Sequence, residues 1–329
     1  MFDLVFLGTS ASAPSIHRGL SSTAVIANED RFLVDCGEGT QRQILRSGLG
    51  FKRLNKILLT HAHLDHILGV GGLISTYAHW ERVGEVDIWG GAPTLERIRS
   101  LLYDVVLRDK PDMLPIHLHE TIAGTIYRGR RFSVQAFPVF HRGRGCFGYI
   151  FQEDTHRPFL VQQAEALGVP NGPERSLLVK GQNVTLADGR IITPDMVLDE
   201  PQAGVKLVFT GDVSRPEALR PFIQDADALV IEATFLDMDR HYAESYGHLT
   251  ARQSAELAAE CNVKSLLLNH ISRRYHERDV LAEARAIFPE AHVVRDLDAF
   301  RVRRNQPLEK IVPETLAPEP EEGDQGVII

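Results

Sequence analysis

Residues 56–66 read KILLTHAHLDH, a short apolar run followed at once by His61, His63, Asp65 and His66. The run is too short for a helix and has no polar face, so it predicts a buried strand. The glycine-containing apolar segment after it, ILGVGGLISTY at 67–77, predicts a helix. Two histidines two residues apart in extended backbone project to the same side. Asp65 and His66 fall where the chain turns into the helix and point differently. That split serves two metal ions. Imidazole and carboxylate without thiolate suit zinc first, then manganese or iron, because borderline ions accept nitrogen and carboxylate oxygen together.

Two ions need more ligands than these four residues supply. Downstream, His141 follows SVQAFPVF, Asp212 follows KLVFTG and His270 follows SLLLN. Each is a ligand-type residue at the end of an apolar segment, where sites accumulate. Alone, each reads as a hydrogen-bonded loop residue. Taken with the first cluster, they read as a metal cage.

Around this cluster lies a chain of 329 residues, 43% hydrophobic and 24% charged, which excludes collagen-like, coiled-coil and wholly disordered classes. Strands are expected at 3–8, 23–27, 31–35, 55–60, 86–90, 131–140, 146–152, 205–210, 228–233, 264–269 and 292–295. Helices are expected at 39–46, 67–79, 94–102, 250–261 and 278–288, with Thr250 and Gln253 forming a capping box. The class is mixed α/β. No apolar run approaches the roughly 18 to 20 residues that span a bilayer, and the first residues lack a basic n-region, so a cytoplasmic protein without a membrane partner is expected. Cys36, Cys146 and Cys261 are far apart and unpaired in pattern, which argues for buried small hydrophobes and against a disulfide framework or thiolate zinc site.

Net charge is −8, but six acids against Lys310 give the stretch from Glu309 to Ile329 a net of −5, leaving −3 for the rest. Two divalent cations would reverse that remainder. We read 1–308 as one hydrolase domain and 309–329 as an acidic, disordered tail, because its composition cannot recover the entropy of ordering. Residues 153–204, punctuated by Pro158, Pro170, Pro173, Pro194 and Pro201, break the rhythm and read as an inserted, projecting arm.

The order HxHxDH, then His, Asp and His resembles the metallo-β-lactamase superfamily from residue 1 to about 305. The resemblance implies a four-layer αβ/βα sandwich with a two-metal cleft between its sheets. His61, His63 and His141 would hold one ion, Asp65, His66 and His270 the other, and Asp212 would bridge them. Asp35 in LVDCGEGT would support the metal loop from beneath.

Within that superfamily the segments FLGTSASAPS, DCGEGTQ, LLTHAHLDHILGVGGLIST, LGVPNGP, FTGD, IEATF, HLT and LNHISRRY are similar to the ribonuclease Z family. The likeness implies a metal-dependent endoribonuclease that removes the 3′ trailer of precursor tRNA by metal-hydroxide attack on a phosphodiester, leaving a 3′-hydroxyl on the tRNA. It also implies a homodimer. Asp65 would orient the nucleophile and accept its proton, and His248 of HLT, held by Glu232 of IEATF, would protonate the leaving oxygen. The chain departs from the family pattern at Leu64, at Ile231 and in the 14–19 loop, PSIHRG. The arm is weakly charged for an RNA clamp, with eight acids against Arg157, Arg175, Lys180 and Arg190, so bases such as Arg18, Arg142, Arg144, Arg273 and Arg274 would have to compensate. The alternatives are a phosphodiesterase or esterase of the same fold acting on small molecules, and a non-catalytic scaffold.

Overall fold

The computed structural model describes residues 1–80 and 83–316. The described residues divide into two compact units, Met1–Gln152 with the described residues from Val205 onward, and Glu153–Gly204.

In the larger unit the first sheet takes β1 (Phe2–Gly8), β2 (Ser22–Ala27), β3 (Asp30–Val34), β4 (Lys56–Leu58), β5 (Val86–Gly90) and β6 (Ile116–Glu120). The second takes β7 (Gly124–Gly129), β8 (Phe132–Pro138) and β9 (Phe147–Glu153). After β10 (Val184–Thr185) and β11 (Ile191–Ile192) in the smaller unit, it continues with β12 (Lys206–Phe209), β13 (Ala228–Glu232), β14 (Leu266–Asn269) and β15 (Ala291–Val293). The chain then returns to the first sheet with β16 (Ala299–Val302) and β17 (Glu309–Ile311). The strand orders are β17-β16-β1-β2-β3-β4-β5-β6 and β15-β14-β13-β12-β9-β8-β7.

Period-2 alternation sorts the side chains into layers. In β1, Leu4 and Phe6 join a core shared with Phe132, Phe151 and Phe209 of the second sheet, whereas Val5 and Leu7 join a core with Ile44, Val70 and Ile74 of the covering helices. In β13, Val230 faces the first sheet and Ile231 faces the helix Ala251–Glu260. Helices thus cover the outer face of each sheet, which is the αβ/βα sandwich expected from the sequence. Between the sheets Phe151 meets Phe32 edge-to-face at 5.3 Å and Phe2 at 5.9 Å.

β6, β7 and β17 escape the sequence reading because their side chains are largely half-exposed or charged, and β16 because Arg301 breaks its short buried stretch, so no apolar run marks any of them. The acidic tail was expected from Glu309, and that start is too early. Glu309–Ile311 pairs antiparallel with β16, Lys310 bonds Asp298 at 2.5 Å, and Ile311 packs on the helix-side core. The remainder of that expected tail, 317–329, lies outside the described residues. No helix among the described residues is long and apolar enough to cross a membrane.

The smaller unit contains the helices Val161–Ala166 and Pro173–Val179 and the β10–β11 hairpin. They close over a small core of its own, with Ala164, Val169, Leu178, Val184, Ile192, Val197 and Leu198 buried together.

Truncating Phe151, fully buried between the sheets, removes contacts that nothing else can supply. Phe151→Ala is expected to cost about 3–5 kcal/mol, read as a lower urea midpoint at unchanged slope. A loss within error would mean that the sheets do not depend on this aromatic cluster.

Candidate metal centre

The site forms where strand ends of the two sheets face each other. β4 ends at Leu58, and His61 and His63 follow in the short loop before the one-turn helix Leu64–Ile67, which carries Asp65 and His66. Residue 63 caps that helix in extended conformation (φ −68°, ψ 147°), the change of direction that separates the two pairs of side chains. Asp212 follows β12 after Gly211 at φ +64°, where a Cβ would stand 2.8 Å from Thr60, so glycine is required both for conformation and for space. His270 directly follows β14 with φ +55°, a left-handed conformation that turns its ring into the cleft.

Every expected site residue converges here. The ring nitrogens of His61, His63 and His141 and an oxygen of Asp212 lie within 4.8 Å of one another, and so do the donor atoms of Asp65, His66 and His270. Asp212 Oδ2 is 3.6 Å from His61 Nε2, 3.5 Å from His66 Nε2 and 3.8 Å from His141 Nε2, so it stands between the two groups. His141 Nε2 is 3.3 Å from His63 Nδ1, and His270 Nε2 is 3.4 Å from Asp65 Oδ2.

Each of four rings is steered by a partner on its far nitrogen. Thr60 Oγ1 lies 3.0 Å from His61 Nδ1, Asp35 Oδ2 2.7 Å from His66 Nδ1, Gly247 O 2.8 Å from His141 Nδ1, and Thr234 Oγ1 2.9 Å from His270 Nδ1. Asp35, itself fixed by the Thr60 amide and hydroxyl, is the support inferred from LVDCGEGT. Holding one nitrogen fixes the ring and presents the other inward, as metal-binding histidines require. His61 Nε2 and Asp212 Oδ1 are buried and lack any hydrogen-bond partner among the described residues. An unpartnered buried nitrogen and carboxylate oxygen are costly unless a cation completes them. The donor set is therefore that of a divalent metal site.

Electrostatics follow from this crowding. Burial, reinforced by neighbouring imidazoles, pushes His61, His63 and His141 below the ordinary histidine range. Burial also opposes the charged form of His66, but Asp212 and Asp35 override it and raise His66 well above that range. Asp65 and Asp212 are buried too, which alone would raise them; the surrounding imidazoles hold both below the usual carboxylate range. His248 sits at the edge of the cage, with Nδ1 2.9 Å from Glu232 Oε2 and 3.8 Å from Asp212 Oδ2. Burial disfavours its charge, yet Glu232 and Asp212 outweigh that and raise it to about 9.

Some contributors had no sequence signal. The Ser12 amide donates to Asp65 Oδ2 at 2.9 Å from a residue at φ +56°, and Thr234 links Glu232 to His270 through one hydroxyl. Backbone donors carry no side-chain signature, and the threonine was legible only as part of IEATF. Two of the three sequence departures lie outside the ligand set: Ile231 packs in the helix-side core, and Leu64 is 53% exposed. Beside the cage opens a cavity of about 430 Å³ whose lining includes His63, Asp65, Asp212, His248, Arg142, Arg273 and Arg274.

Residues 18–128 match the family model described as the Metallo-beta-lactamase superfamily. A ribonuclease Z of Bradyrhizobium diazoefficiens is 45% identical over 298 residues, covering 91% of this chain and 99% of that relative. A ribonuclease Z of Archaeoglobus fulgidus is 36% identical over 309 residues, 92% of this chain and 98% of that one. Among solved structures, human tRNase Z, short form, aligns with TM-score 0.61 at 24% identity over 92% of this chain and 100% of that one. The metallo-beta-lactamase fold protein YhfI of Bacillus subtilis aligns with TM-score 0.65 at 18% identity, covering 91% and 98%. These two likenesses establish the fold. On the strength of relatives matched along nearly their whole length, the chain belongs to the ribonuclease Z family of metal-dependent hydrolases.

Proposed function

We propose that the protein is the endoribonuclease that removes the 3′ trailer from precursor tRNA, leaving a 3′-hydroxyl on the tRNA. The observation that carries this reading is a histidine held by a carboxylate, His248 on Glu232, beside a two-part His/Asp cage in a ribonuclease Z chain. A hydrolase of small phosphodiesters on the same fold is not favoured, since relatives at 45% identity over most of the chain carry the ribonuclease Z name. In our reading His61, His63 and His141 would hold one ion and Asp65, His66 and His270 the other, with Asp212 within reach of both groups. Zinc is proposed because borderline ions accept mixed nitrogen and carboxylate donors. Two such ions, when bound, would supply an acidified water and neutralise charge on the phosphoryl oxygens.

The chain's own groups then have separate tasks. Asp65, anchored by the Ser12 amide, orients the attacking water and accepts its proton. Attack at phosphorus breaks the bond to the ribose 3′ oxygen, a poor leaving group unless protonated. His248 donates that proton from its outer nitrogen, while Glu232 holds the inner one and keeps the ring charged. A cytoplasmic homodimer is proposed with this assignment.

Incubation with end-labelled precursor tRNA is expected to give one processed tRNA ending in a 3′-hydroxyl and one trailer with a 5′-phosphate, from a species of twice the monomer mass. Chelation should abolish both products and zinc should restore them. Cleavage of bis(p-nitrophenyl) phosphate alone would overturn the assignment.

The separate roles of acid and ligand predict that His248→Ala keeps its metal content and loses about 10²–10⁴-fold in turnover, whereas Asp212→Ala loses metal by elemental analysis. Equal metal loss in both would refute the division.

The rate should also fall as pH rises through about 9, where His248 gives up its proton. Glu232→Gln removes the main charge that raises the imidazole, so its alkaline limb should begin at lower pH. An unmoved limb would assign the titration to another group.

A further inference from the structure

The cavity beside the cage has an aromatic wall that the chemistry above does not use. Tyr246 lies at the end of the helix Arg240–Tyr246, two residues before His248, and is 46% exposed. Its ring lies almost parallel to that of buried Phe235, with centroids 6.4 Å apart and planes at 8°, and near-parallel to that of Tyr242 at 6.3 Å and 21°. Phe235 in turn approaches His248 at 6.2 Å. Guanidinium groups flank the row: Arg142 lies 5.5 Å from the Tyr246 ring and Arg274 lies 5.1 Å from the Tyr242 ring. Arg142 is further held by its hydrogen bond to the Ser245 carbonyl at 2.6 Å. Neither arginine forms an ion pair among the described residues, and both open onto the cavity with Arg273.

Exposed tyrosines in near-parallel array beside unpaired arginines are the makings of a single-strand nucleic-acid platform. Every base offers a π-face, and the guanidinium groups answer the phosphates. Position fixes which base. His248 delivers its proton to the ribose 3′ oxygen, which belongs to the nucleotide retained on the tRNA. The sugar of that nucleotide therefore sits against His248, and its base within reach of the ring two residues away.

We propose that Tyr246, backed by Phe235 and Tyr242 and flanked by Arg142 and Arg274, is a stacking platform for the base immediately 5′ to the scissile phosphate. This rests on the tRNA-processing reading and extends it, by assigning a specificity surface on the leaving-group side. Stacking is tolerant of base identity, so all four bases at that position are accepted, and what the platform selects is an unpaired, unstacked nucleotide.

The test uses the metal-loaded enzyme and processed tRNA whose last nucleotide is 2-aminopurine, a fluorophore dimmed by stacking. Wild type and Tyr246→Phe are expected to quench it. Tyr246→Ala should leave it bright and bind about 5- to 150-fold more weakly. On precursor tRNA with an abasic residue 5′ to the cut, wild type should fall to the level of Tyr246→Ala, and the variant should lose nothing further. Full quenching by Tyr246→Ala, or additive losses on the abasic substrate, would overturn the platform and leave Tyr246 a packing residue. Failure of wild type to cut unmodified precursor would instead strike the tRNA assignment itself.

Discussion

Asp212 Oδ2 is within 3.5–3.8 Å of four imidazole nitrogens, those of His61, His66, His141 and His248, while being almost wholly buried. That packing is tolerable only if positive charge occupies the space between the groups. Five imidazoles and two carboxylates brought so close cannot all satisfy one another by hydrogen bonds, because four of the rings have given their outer nitrogens to Thr60, Asp35, Gly247 and Thr234. Of the inward-facing atoms, His61 Nε2 and Asp212 Oδ1 are left with no partner among the described residues. Most other features near the site can be understood as holding this arrangement in place against its own electrostatics: the left-handed backbone at Asp35 and His270, the obligatory Gly211, and the fixed Asp35 carboxylate.

The ligand residues were legible because each is a polar break at the end of an apolar run, and a strand end is where a buried segment first meets solvent. KILLTHAHLDH, KLVFTGD and SLLLNH all end this way. The central strands were legible for the same reason. Polar edge strands were not: β6 reads IHLHE, in which His117 pairs with Glu85 just before β5 and His119 with Asp87 on β5, a polar ladder that mimics a loop. β17 hid within an acidic stretch, since Glu309 and Lys310 there are paired with Arg303 and Asp298, charges that composition counts as repulsive or solvated. Composition cannot see a partner supplied by the fold.

The link between cage and acid was only partly legible. His248 and Glu232 are 16 residues apart in sequence and meet at 2.9 Å, but the hydroxyl of Thr234 joins Glu232 on one side and His270 on the other. One carboxylate thus charges the proton donor while the same short chain of hydrogen bonds orients a ligand. Because these groups share partners, substitutions among Glu232, Thr234 and His270 should not be additive. A loss measured at one of them cannot be divided cleanly into acid chemistry and cage geometry.

Topology explains why so many groups from distant segments meet here. β3 and β4 run parallel, and so do β12, β13 and β14. Parallel neighbours deliver their C-terminal ends to the same edge of a sheet, so the loops that follow them crowd together. Asp35 and the HAHLDH loop leave that edge in the first sheet; Asp212, Glu232 and His270 leave it in the second. The antiparallel strands β1, β2, β7 and β8 alternate direction and send only every other loop to the same edge, and of the cage residues they supply only His141, after β8. The two parallel blocks, stacked across the aromatic layer of Phe32, Phe151 and Phe209, are therefore what sets the distance between the ligand groups. A change that tilts one sheet on the other would alter the cage even if every ligand were retained.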